Sequence, residues 1–367
     1  MLRLAHAAAE RYPDRAALRL SLAQALEGVG RSDEAAQCLL AAAKDFPGNE
    51  AVEAALAHLL ARTGQFEAAL ERARQWPESA WAAKLSLKLL MLQGRTREAA
   101  AHEAAVASAD PADPHLLDLY ALELNASPEA LLRRCEGALE HRPGACNAIY
   151  WKTMALARLG RREDAAALMG LDAFVQIRPL AAPAGFGGDG AFSSALRDEI
   201  HRNPTLHSDP MGHASIRGMR TRTFPMPGDR AATALLAAIR NAVADYADGL
   251  AGPHPLLDGR PDRASFNAWA LIFGSGGRQR IHHHPGAWLT GVYYVSAATR
   301  SGGAIRIGPL PERLGIDPPW PVSEVQPEAG TLILFPSYVP HETVPPGDGN
   351  ERISVAFDVT AAPAATP

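Results

Sequence analysis

Cysteine, lysine and long hydrophobic runs are scarce in this sequence of 367 residues. Its three cysteines, Cys38, Cys135 and Cys146, have no metal-ligand spacing, which argues against a disulfide framework and against a cysteine zinc site. No run reaches the roughly 20 apolar residues of a membrane span, and the N-terminal segment holds no apolar stretch long enough for a signal peptide. We therefore expect a cytoplasmic protein without a membrane partner.

Positive charge comes mainly from arginine. Of the 36 lysines and arginines only four are lysines, and all four lie before residue 153. The formal net charge of −4 gives no global basic field, so nucleic acid is not an expected partner. In the C-terminal half, arginine is therefore the only fixed cation available to bind an anion. The length and the 47% apolar content suit a soluble chain of two domains.

A glycine followed five residues later by an alanine recurs in the first half of the chain. These glycines are Gly30, Gly64, Gly94 and Gly160. The first two are 34 residues apart, as are Pro13 and Pro47, which close the units. Glycine permits the turn between two helices, and alanine lets the helices approach closely. The period resembles that of tetratricopeptide repeats, and it predicts about five helical hairpins in an α-helical superhelix over residues 1–175.

The composition changes after this helical half. Residues 176–190 are rich in proline, glycine and alanine and predict a linker. A helical stretch over 231–250 follows. Short alternating segments between Gly/Pro turns then predict strands at 266–273, 289–295, 304–307, 331–335 and 353–359. We predict a multidomain α + β protein, in which a double-stranded β-helix (a jelly roll) with supporting helices occupies 191–362, with its β core at about 266–360.

Three histidines and an arginine follow one another in the strand-rich half. His282 and His284 flank His283 in a His-His-His-Pro run, and residues i and i+2 of a strand share a face. The two flanking rings can therefore aim at one point, whereas His283 points away and is expected to be solvated. His341 comes 57 residues after His284, and an Arg-x-Ser sequence beginning at Arg352 opens the last predicted strand.

These residues belong to a longer pattern that resembles a known enzyme family. The order His-x-His-Pro, Gly-Val-Tyr-Tyr, Phe-Pro-Ser, His and Arg-x-Ser runs from His282 to Ser354. It is similar to that of the iron(II)/2-oxoglutarate-dependent oxygenases, and in particular of those fused behind tetratricopeptide repeats. By motif the likeness covers about 200–360, with 266–359 its specific part. The resemblance implies a double-stranded β-helix, Fe(II), O₂ and 2-oxoglutarate, and hydroxylation as the activity.

The resemblance also implies the site residues. His282, His284 and His341 would ligate the metal, and Arg352 with Ser354 would bind the distal carboxylate of 2-oxoglutarate. Neutral imidazoles suit Fe(II). An unpaired carboxylate inside an apolar barrel is costly, and the arginine fork matches its geometry.

Position 284 departs from the common family pattern, in which a carboxylate stands beside two histidines. We expect His284 itself to ligate the metal, because its spacing places it on the face of His282 and Pro285 stiffens the turn. The alternative is a site of two histidines, with water or a halide in the third position, which would allow halogenation.

Further residues are expected around this centre. Asn267, Gln279 and Tyr293 are predicted to line the cosubstrate pocket, although an ordinary core position is an equal alternative for Tyr293. The isolated His201 and His254 are expected at the surface.

Several alternatives remain open at this level. Arg217, Arg220 and Arg222, with the nearby His213, form either a substrate clamp or a solvated loop. Rival functions are a cupin-like metalloenzyme of another reaction class and a non-enzymatic repeat adaptor with a relic barrel. Helical repeats suit extended peptides, so we expect a peptide or protein substrate, with a small-molecule substrate and a homodimer contact as alternatives. A fragment without residues 1–170 is expected to keep metal and cosubstrate binding.

Overall fold

The computed structural model describes residues 2–29, 31–208, 214–297, 302–347 and 351–362. The chain divides into two compact units, the first ending at Leu119 and the second beginning at Tyr120. Among the described residues, no helix combines the length and the apolar character that crossing a bilayer would require.

Helical hairpins make up the first unit, and from α1 to α7 each helix packs against the next one along the chain. The helices are α1 (Leu2–Arg11), α2 (Ala16–Gly28), α3 (Ser32–Asp45), α4 (Glu50–Arg62), α5 (Phe66–Arg74), α6 (Ala80–Leu92), α7 (Thr96–Ala100), α8 (Glu103–Ala109) and α9 (Pro114–Tyr120).

The repeated glycine and alanine have the roles that the sequence predicts. Gly64 and Gly94 lie in the turns α4–α5 and α6–α7 with φ of 82° and 72°, a region that favours glycine. After Gly64, the amide of Gln65 donates to the carbonyl of Leu60 at 2.8 Å, which closes the end of α4. The alanines five residues after each glycine are fully buried; they are Ala35, Ala69, Ala99 and Ala165. The predicted tetratricopeptide-like hairpins are confirmed.

Helices also begin the second unit and support its sheets. They are α10 (Pro128–His141), α11 (Cys146–Arg158), α12 (Arg162–Met169), α13 (Leu171–Phe174), α14 (Asp189–His201), α15 (Arg230–Gly249) and α16 (Pro255–Asp258), with short 3₁₀ helices at Ala121–Glu123 and Glu312–Leu314. The hairpin of α11 and α12 carries the repeat turn at Gly160, with φ of 76°. This hairpin nevertheless clusters with the strands rather than with the first unit. The compact units therefore divide at 119/120, and not at the predicted boundary after residue 175.

Ten strands lie in the described part of the second unit. They are β1 (Gln176–Pro179), β2 (Leu206–Ser208), β3 (Ser215–Thr221), β4 (Ala264–Gln279), β5 (Leu289–Ser296), β6 (Ile305–Ile307), β7 (Ser323–Val325), β8 (Thr331–Pro336), β9 (His341–Thr343) and β10 (Arg352–Ala361). One sheet has the order β1-β8-β5-β10-β4-β3-β2, and the other has the order β7-β6-β9. The pairings between these strands are antiparallel. The predicted double-stranded β-helix is confirmed, with β4, β5, β6, β8 and β10 at the five predicted strands.

The predicted linker needs correction. Its first residues form β1, in which Gln176 to Pro179 pair with Leu334 to Thr331 of β8. Its last residues begin α14 at Asp189. An edge strand of four residues that ends in proline shows too little alternation to be recognised, although its backbone groups find partners in the sheet.

His254 is a second correction, since it is buried rather than at the surface. Its Nδ1 accepts a hydrogen bond from the amide of Leu256 at 3.1 Å and so caps α16. Its Nε2 donates to the carbonyl of Leu168, at the end of α12, at 2.9 Å. His201 is partly exposed and bonds to Glu351 at 3.2 Å.

Candidate metal and cosubstrate site

His282, His284 and His341 are brought together by backbone hydrogen bonds. The amide of His282 donates to the carbonyl of His341 at 3.0 Å, and the reverse bond measures 2.9 Å. The amide of His284 donates to the carbonyl of Ser337 at 2.8 Å. One ring nitrogen from each histidine lies within 4.8 Å of the other two. These bonds join the segment before β5 to the segment after β8, and so they bring the three imidazoles into one cluster.

Two of these rings are oriented by backbone carbonyls. Nδ1 of His282 lies 2.8 Å from the carbonyl oxygen of Arg280, and Nδ1 of His341 lies 3.1 Å from that of Val339. A carbonyl oxygen can only accept, so Nδ1 carries the proton and Nε2 keeps its lone pair. Both rings therefore offer Nε2 as a donor atom for a metal.

The third ring is oriented by a carboxylate. Nδ1 of His284 lies 2.8 Å from Oδ1 of Asp358. The hydroxyl of Thr290 donates to the same Asp358 oxygen at 2.8 Å. His284 is consequently left with Nε2 as its free donor, like its two neighbours.

Burial keeps His282 and His341 uncharged. It lowers the pKa of His282 to about 3, with help from the adjacent His284. It also lowers the pKa of His341 well below the ordinary histidine value, and the neighbouring His282 adds to the effect. Neutral imidazole is the form that binds a metal ion, so the donor set fits a divalent cation such as Fe(II).

A cavity lies beside the cluster. It is lined by Trp269, Gln279, His284, Thr290, Gly291, Val292, Tyr294, Ile305, Phe335, His341, Thr343, Arg352, Ser354 and Ala356. Arg352, Ser354 and Ala356 alternate along β10, and this alternation places them on the same face of the strand. The cavity therefore joins two of the histidines to the predicted arginine and serine.

Arg352 is a buried cation, with 1% of its surface exposed. Its guanidinium donates to the carbonyl of Gly303 at 3.1 Å and to the hydroxyl of Thr343 at 3.0 Å, and it lies 5.0 Å from the ring centre of Phe273. Its Nε has no hydrogen-bond partner, and no carboxylate of the described residues pairs with it. Burial lowers the pKa of this guanidinium. A buried cation without a counter-charge is costly, so this part of the cavity fits the distal carboxylate of 2-oxoglutarate.

Of the three further predicted lining residues, Gln279 lies on the cavity and two do not. Asn267 is exposed on β4. Tyr293 is buried and does not line the cavity. Its pKa is raised to about 12 by burial and by the nearby Asp189. Because successive strand residues face opposite sides, the next residue, Tyr294, lines the cavity instead.

His283 is not a solvated residue, contrary to the expectation. Its Nε2 lies 2.7 Å from Oδ1 of Asn147, and its ring stacks on Tyr150 with 4.1 Å between ring centres. Burial lowers the pKa of His283 to about 3. Cys146, on the same helix, donates to the carbonyl of Trp288 at 3.6 Å. Helix α11 thus contacts the turn that carries two of the three histidines.

The arginine cluster does not act as one group. Arg220 lies over the ring of Trp269 with 5.0 Å from its guanidinium carbon to the ring centre, and Trp269 stacks at 6.0 Å on His284. Arg217, with φ of 53°, and Arg222 are exposed. His213 lies outside the described residues.

Sequence reasoning missed Asp358, Thr343, Tyr294 and the role of Thr290 in the site. A usable pattern exists for Asp358, since it continues the alternation of Arg352, Ser354 and Ala356 along β10. Thr343 and Thr290 depend on contacts between distant strands, and the sequence contains no sign of them.

Comparison with known families matches residues 267–358 to the family described as "Putative 2OG-Fe(II) oxygenase". A search of curated proteins returns no match. This segment contains every histidine and arginine of the site described above.

Solved structures give weaker likenesses. A prolyl-4-hydroxylase from Pseudomonas putida is 20% identical, with a TM-score of 0.39, covering 52% of this chain and 95% of its own. HygX from Streptomyces hygroscopicus, with nickel and 2-oxoglutarate bound, is 16% identical, with a TM-score of 0.36 and coverages of 53% and 86%. A tetratricopeptide repeat protein from Parabacteroides merdae is 15% identical, with a TM-score of 0.36 and coverages of 42% and 64%. The assignment therefore rests on the matched segment and on the geometry inside it.

Proposed function

We propose that this chain, whose residues 267–358 match the 2OG-Fe(II) oxygenase family, hydroxylates a peptide or protein substrate, using Fe(II), 2-oxoglutarate and O₂ and releasing succinate and CO₂. One observation carries the proposal. Three imidazoles, each with a free Nε2, lie together, and one cavity joins two of them to a buried arginine that has no carboxylate partner among the described residues. A cupin-like site has no use for such an arginine, and a relic barrel has no reason to keep all of these groups in place.

In this proposal His282, His284 and His341 hold the metal. Three protein donors leave room on a six-coordinate ion for a bidentate keto acid and for O₂. When bound, Fe(II) and 2-oxoglutarate supply the activation of O₂ that oxidises a C–H bond. The contribution of the chain is to fix the tautomers of the three rings and to exclude competing ligands.

Arg352 binds the distal carboxylate of 2-oxoglutarate, with Ser354 on the same strand face adding a hydroxyl donor. Tyr294 lines the same cavity, and burial raises its pKa, so its phenol stays protonated and able to donate. Phe335 and Trp269 close the walls with apolar surface. A dry pocket strengthens the ion pair between the guanidinium and the carboxylate.

The peptide or protein substrate is inferred from the helical hairpins. Their turn glycines and buried alanines are those of a repeat architecture, which offers stacked helix surfaces to extended peptides. A small-molecule substrate is the alternative, and the second experiment below distinguishes the two substrate classes.

The oxygenase proposal is tested by visible absorption under anaerobic conditions. The wild-type protein with Fe(II) is expected to develop a weak metal-to-ligand charge-transfer band when 2-oxoglutarate is added. His284→Ala should lose most of this band, because one of three donors is removed. Thermal unfolding of both metal-free proteins controls for folding. Absence of the band in folded wild-type protein would contradict the proposal.

The substrate class is tested by comparing cells that produce the wild-type protein with cells that produce Arg352→Leu. A protein substrate should carry one added oxygen atom in the first sample and lack it in the second. If only a small metabolite gains oxygen, the peptide or protein substrate is wrong and the oxygenase assignment stands.

A further inference from the structure

Asp358 is the only carboxylate of the described residues that contacts the histidine cluster. It lies on β10, two residues beyond the cavity-lining Ala356, and it is partly buried. It is not among the residues whose donor atoms lie within 4.8 Å of one another. The proposed metal ligands therefore include no carboxylate, and Asp358 contacts them only through Nδ1 of His284.

The orientation of Asp358 is itself fixed by hydrogen bonds. The Thr290 hydroxyl has one proton, which it donates to Oδ1 of Asp358 at 2.8 Å. It must then accept from the hydroxyl of Ser337, which lies at 2.8 Å and is fully buried. Thr290 and Asp358 are also direct partners in the register of β5 and β10. Hydrogen bonds from Thr290 and from His284 thus converge on Asp358, Ser337 donates to Thr290, and each step has a single arrangement of protons.

The three imidazoles are consequently not equivalent. His282 and His341 donate their Nδ1–H to neutral carbonyl oxygens, at 2.8 and 3.1 Å. His284 alone donates to a carboxylate, at 2.8 Å. A charge-assisted bond of this kind shifts electron density towards Nε2 and makes that ring a stronger donor than the other two.

We propose that Asp358 is a positioning residue that holds His284 in its metal-binding tautomer and supplies, through that ring, the negative charge that no metal ligand of this site carries. The inference rests on the proposed function, because it needs a metal at the three histidines. It assigns to the Asp–Thr–Ser chain a role in metal affinity rather than in folding.

The test is a titration of the metal-free proteins with Co²⁺, followed by visible absorption and without 2-oxoglutarate. Asp358→Ala should bind Co²⁺ about 10–100-fold more weakly, the range found for partners of metal-ligating histidines. Asp358→Asn has the same shape and can still accept from Nδ1, but it lacks the charge. Its affinity should lie between those of the wild type and Asp358→Ala, and its Co²⁺ spectrum should differ from that of the wild type.

A matched control is Glu324→Gln, which removes one negative charge from exposed β7 in the same unit. Its Co²⁺ affinity should equal that of the wild type. The thermal midpoints of the metal-free proteins show whether each variant is folded, and the isosteric Asp358→Asn keeps the test informative if Asp358→Ala is unstable.

The possible outcomes separate this inference from the proposed function. If both Asp358 variants bind Co²⁺ as the wild type does, the role of Asp358 is wrong and the three-histidine site stands. If Asp358→Asn binds Co²⁺ as tightly as the wild type while Asp358→Ala binds it more weakly, the charge of Asp358 has no role. The part of the proposal that concerns the negative charge is then overturned. If His284→Ala binds Co²⁺ as tightly as the wild type, the metal site fails, and the proposed function fails with it.

Discussion

The hairpin of α4 and α5 in the first unit and that of α11 and α12 in the second have the same turn and the same buried alanine, but their surroundings differ. In α4, six of 13 residues are buried, which leaves one polar face. In α11, ten of 13 residues are buried. A helix that is apolar all round is covered on more than one side. The repeat motif therefore specifies the hairpin, and the composition of the remaining helix faces determines what the hairpin packs against.

The additional partner of α11 is the strand-rich part of the second unit. Asn147 and Tyr150 contact His283, and Cys146 contacts Trp288, the residue directly before β5. At the end of the next helix, the carbonyl of Met169 accepts a hydrogen bond from Tyr338 at 3.2 Å. These helices are tetratricopeptide-like in sequence, yet they contact the segments that carry the three histidines.

The largest expected effect comes from truncation. A variant that begins at Tyr120 retains the whole second unit and should still bind Co²⁺ and 2-oxoglutarate. A variant that begins at residue 171 loses α10 to α12 and exposes the apolar surface that they cover, so it should be insoluble or bind no metal. This replaces the expectation that a fragment without residues 1–170 keeps metal and cosubstrate binding. Soluble yield and Co²⁺ titration of both variants measure the difference, and equal behaviour would show that the two sets of hairpins are equivalent.

A smaller effect is expected at two Pro-Gly turns that look alike in sequence. Gly48 and Gly144 have φ of 78° and 75°. An added Cβ at Gly48 meets nothing within 4 Å, whereas at Gly144 it would lie 2.4 Å from the Cα of Gly259. Gly48→Ala should cost about 1–2 kcal/mol through backbone strain alone. Gly144→Ala should cost roughly 3–5 kcal/mol, because overpacking against a backbone is added to this strain.

Urea unfolding of the two glycine variants, followed by circular dichroism and by Co²⁺ binding, measures both costs. Only Gly144→Ala should weaken metal binding together with stability. Equal losses in the two variants would mean that the contact with Gly259 is unimportant.

The smallest effect is expected at His283. His283→Ala removes the hydrogen bond to Asn147 and the stack on Tyr150, which should cost about 1–3 kcal/mol and loosen the turn between His282 and His284. The control is His58→Ala in the first unit, where an exposed histidine lies 6.2 Å from the ring of Trp81. That substitution should change stability by less than about 0.5 kcal/mol. Chemical denaturation checks both values. If His283→Ala leaves stability unchanged, the contacts of α11 with this turn do not help to hold the site.

Much of the fold could be predicted from the sequence because the relevant signals are local. The glycine turns, the buried alanines and the five predicted strands each depend on spacing within a few residues. The short edge strands β1, β2, β7 and β9 have three or four residues each, too few for their alternation to be detected. They form because neighbouring strands offer them backbone partners.

The site was predictable where it lies on a single strand and unpredictable where it depends on distant partners. Arg352 and Ser354 share a face of β10, so their joint position on the cavity follows from alternation. The same rule does not decide which face of β5 lines the cavity, and the cavity takes Tyr294 rather than the expected Tyr293. His283 could not be placed, since its partner Asn147 precedes it by 136 residues.

The central claim is that one cavity holds a metal at three histidines and the distal carboxylate of 2-oxoglutarate at Arg352. Anaerobic calorimetric titration of 2-oxoglutarate into the Mn²⁺-loaded protein tests it most directly. Arg352→Leu should weaken binding by about 100-fold or more, because the carboxylate is then buried without a partner. The matched control is Arg306→Leu, since Arg306 is partly exposed and paired with Glu342. This control should bind 2-oxoglutarate like the wild type, whereas undiminished affinity in folded Arg352→Leu would contradict the account.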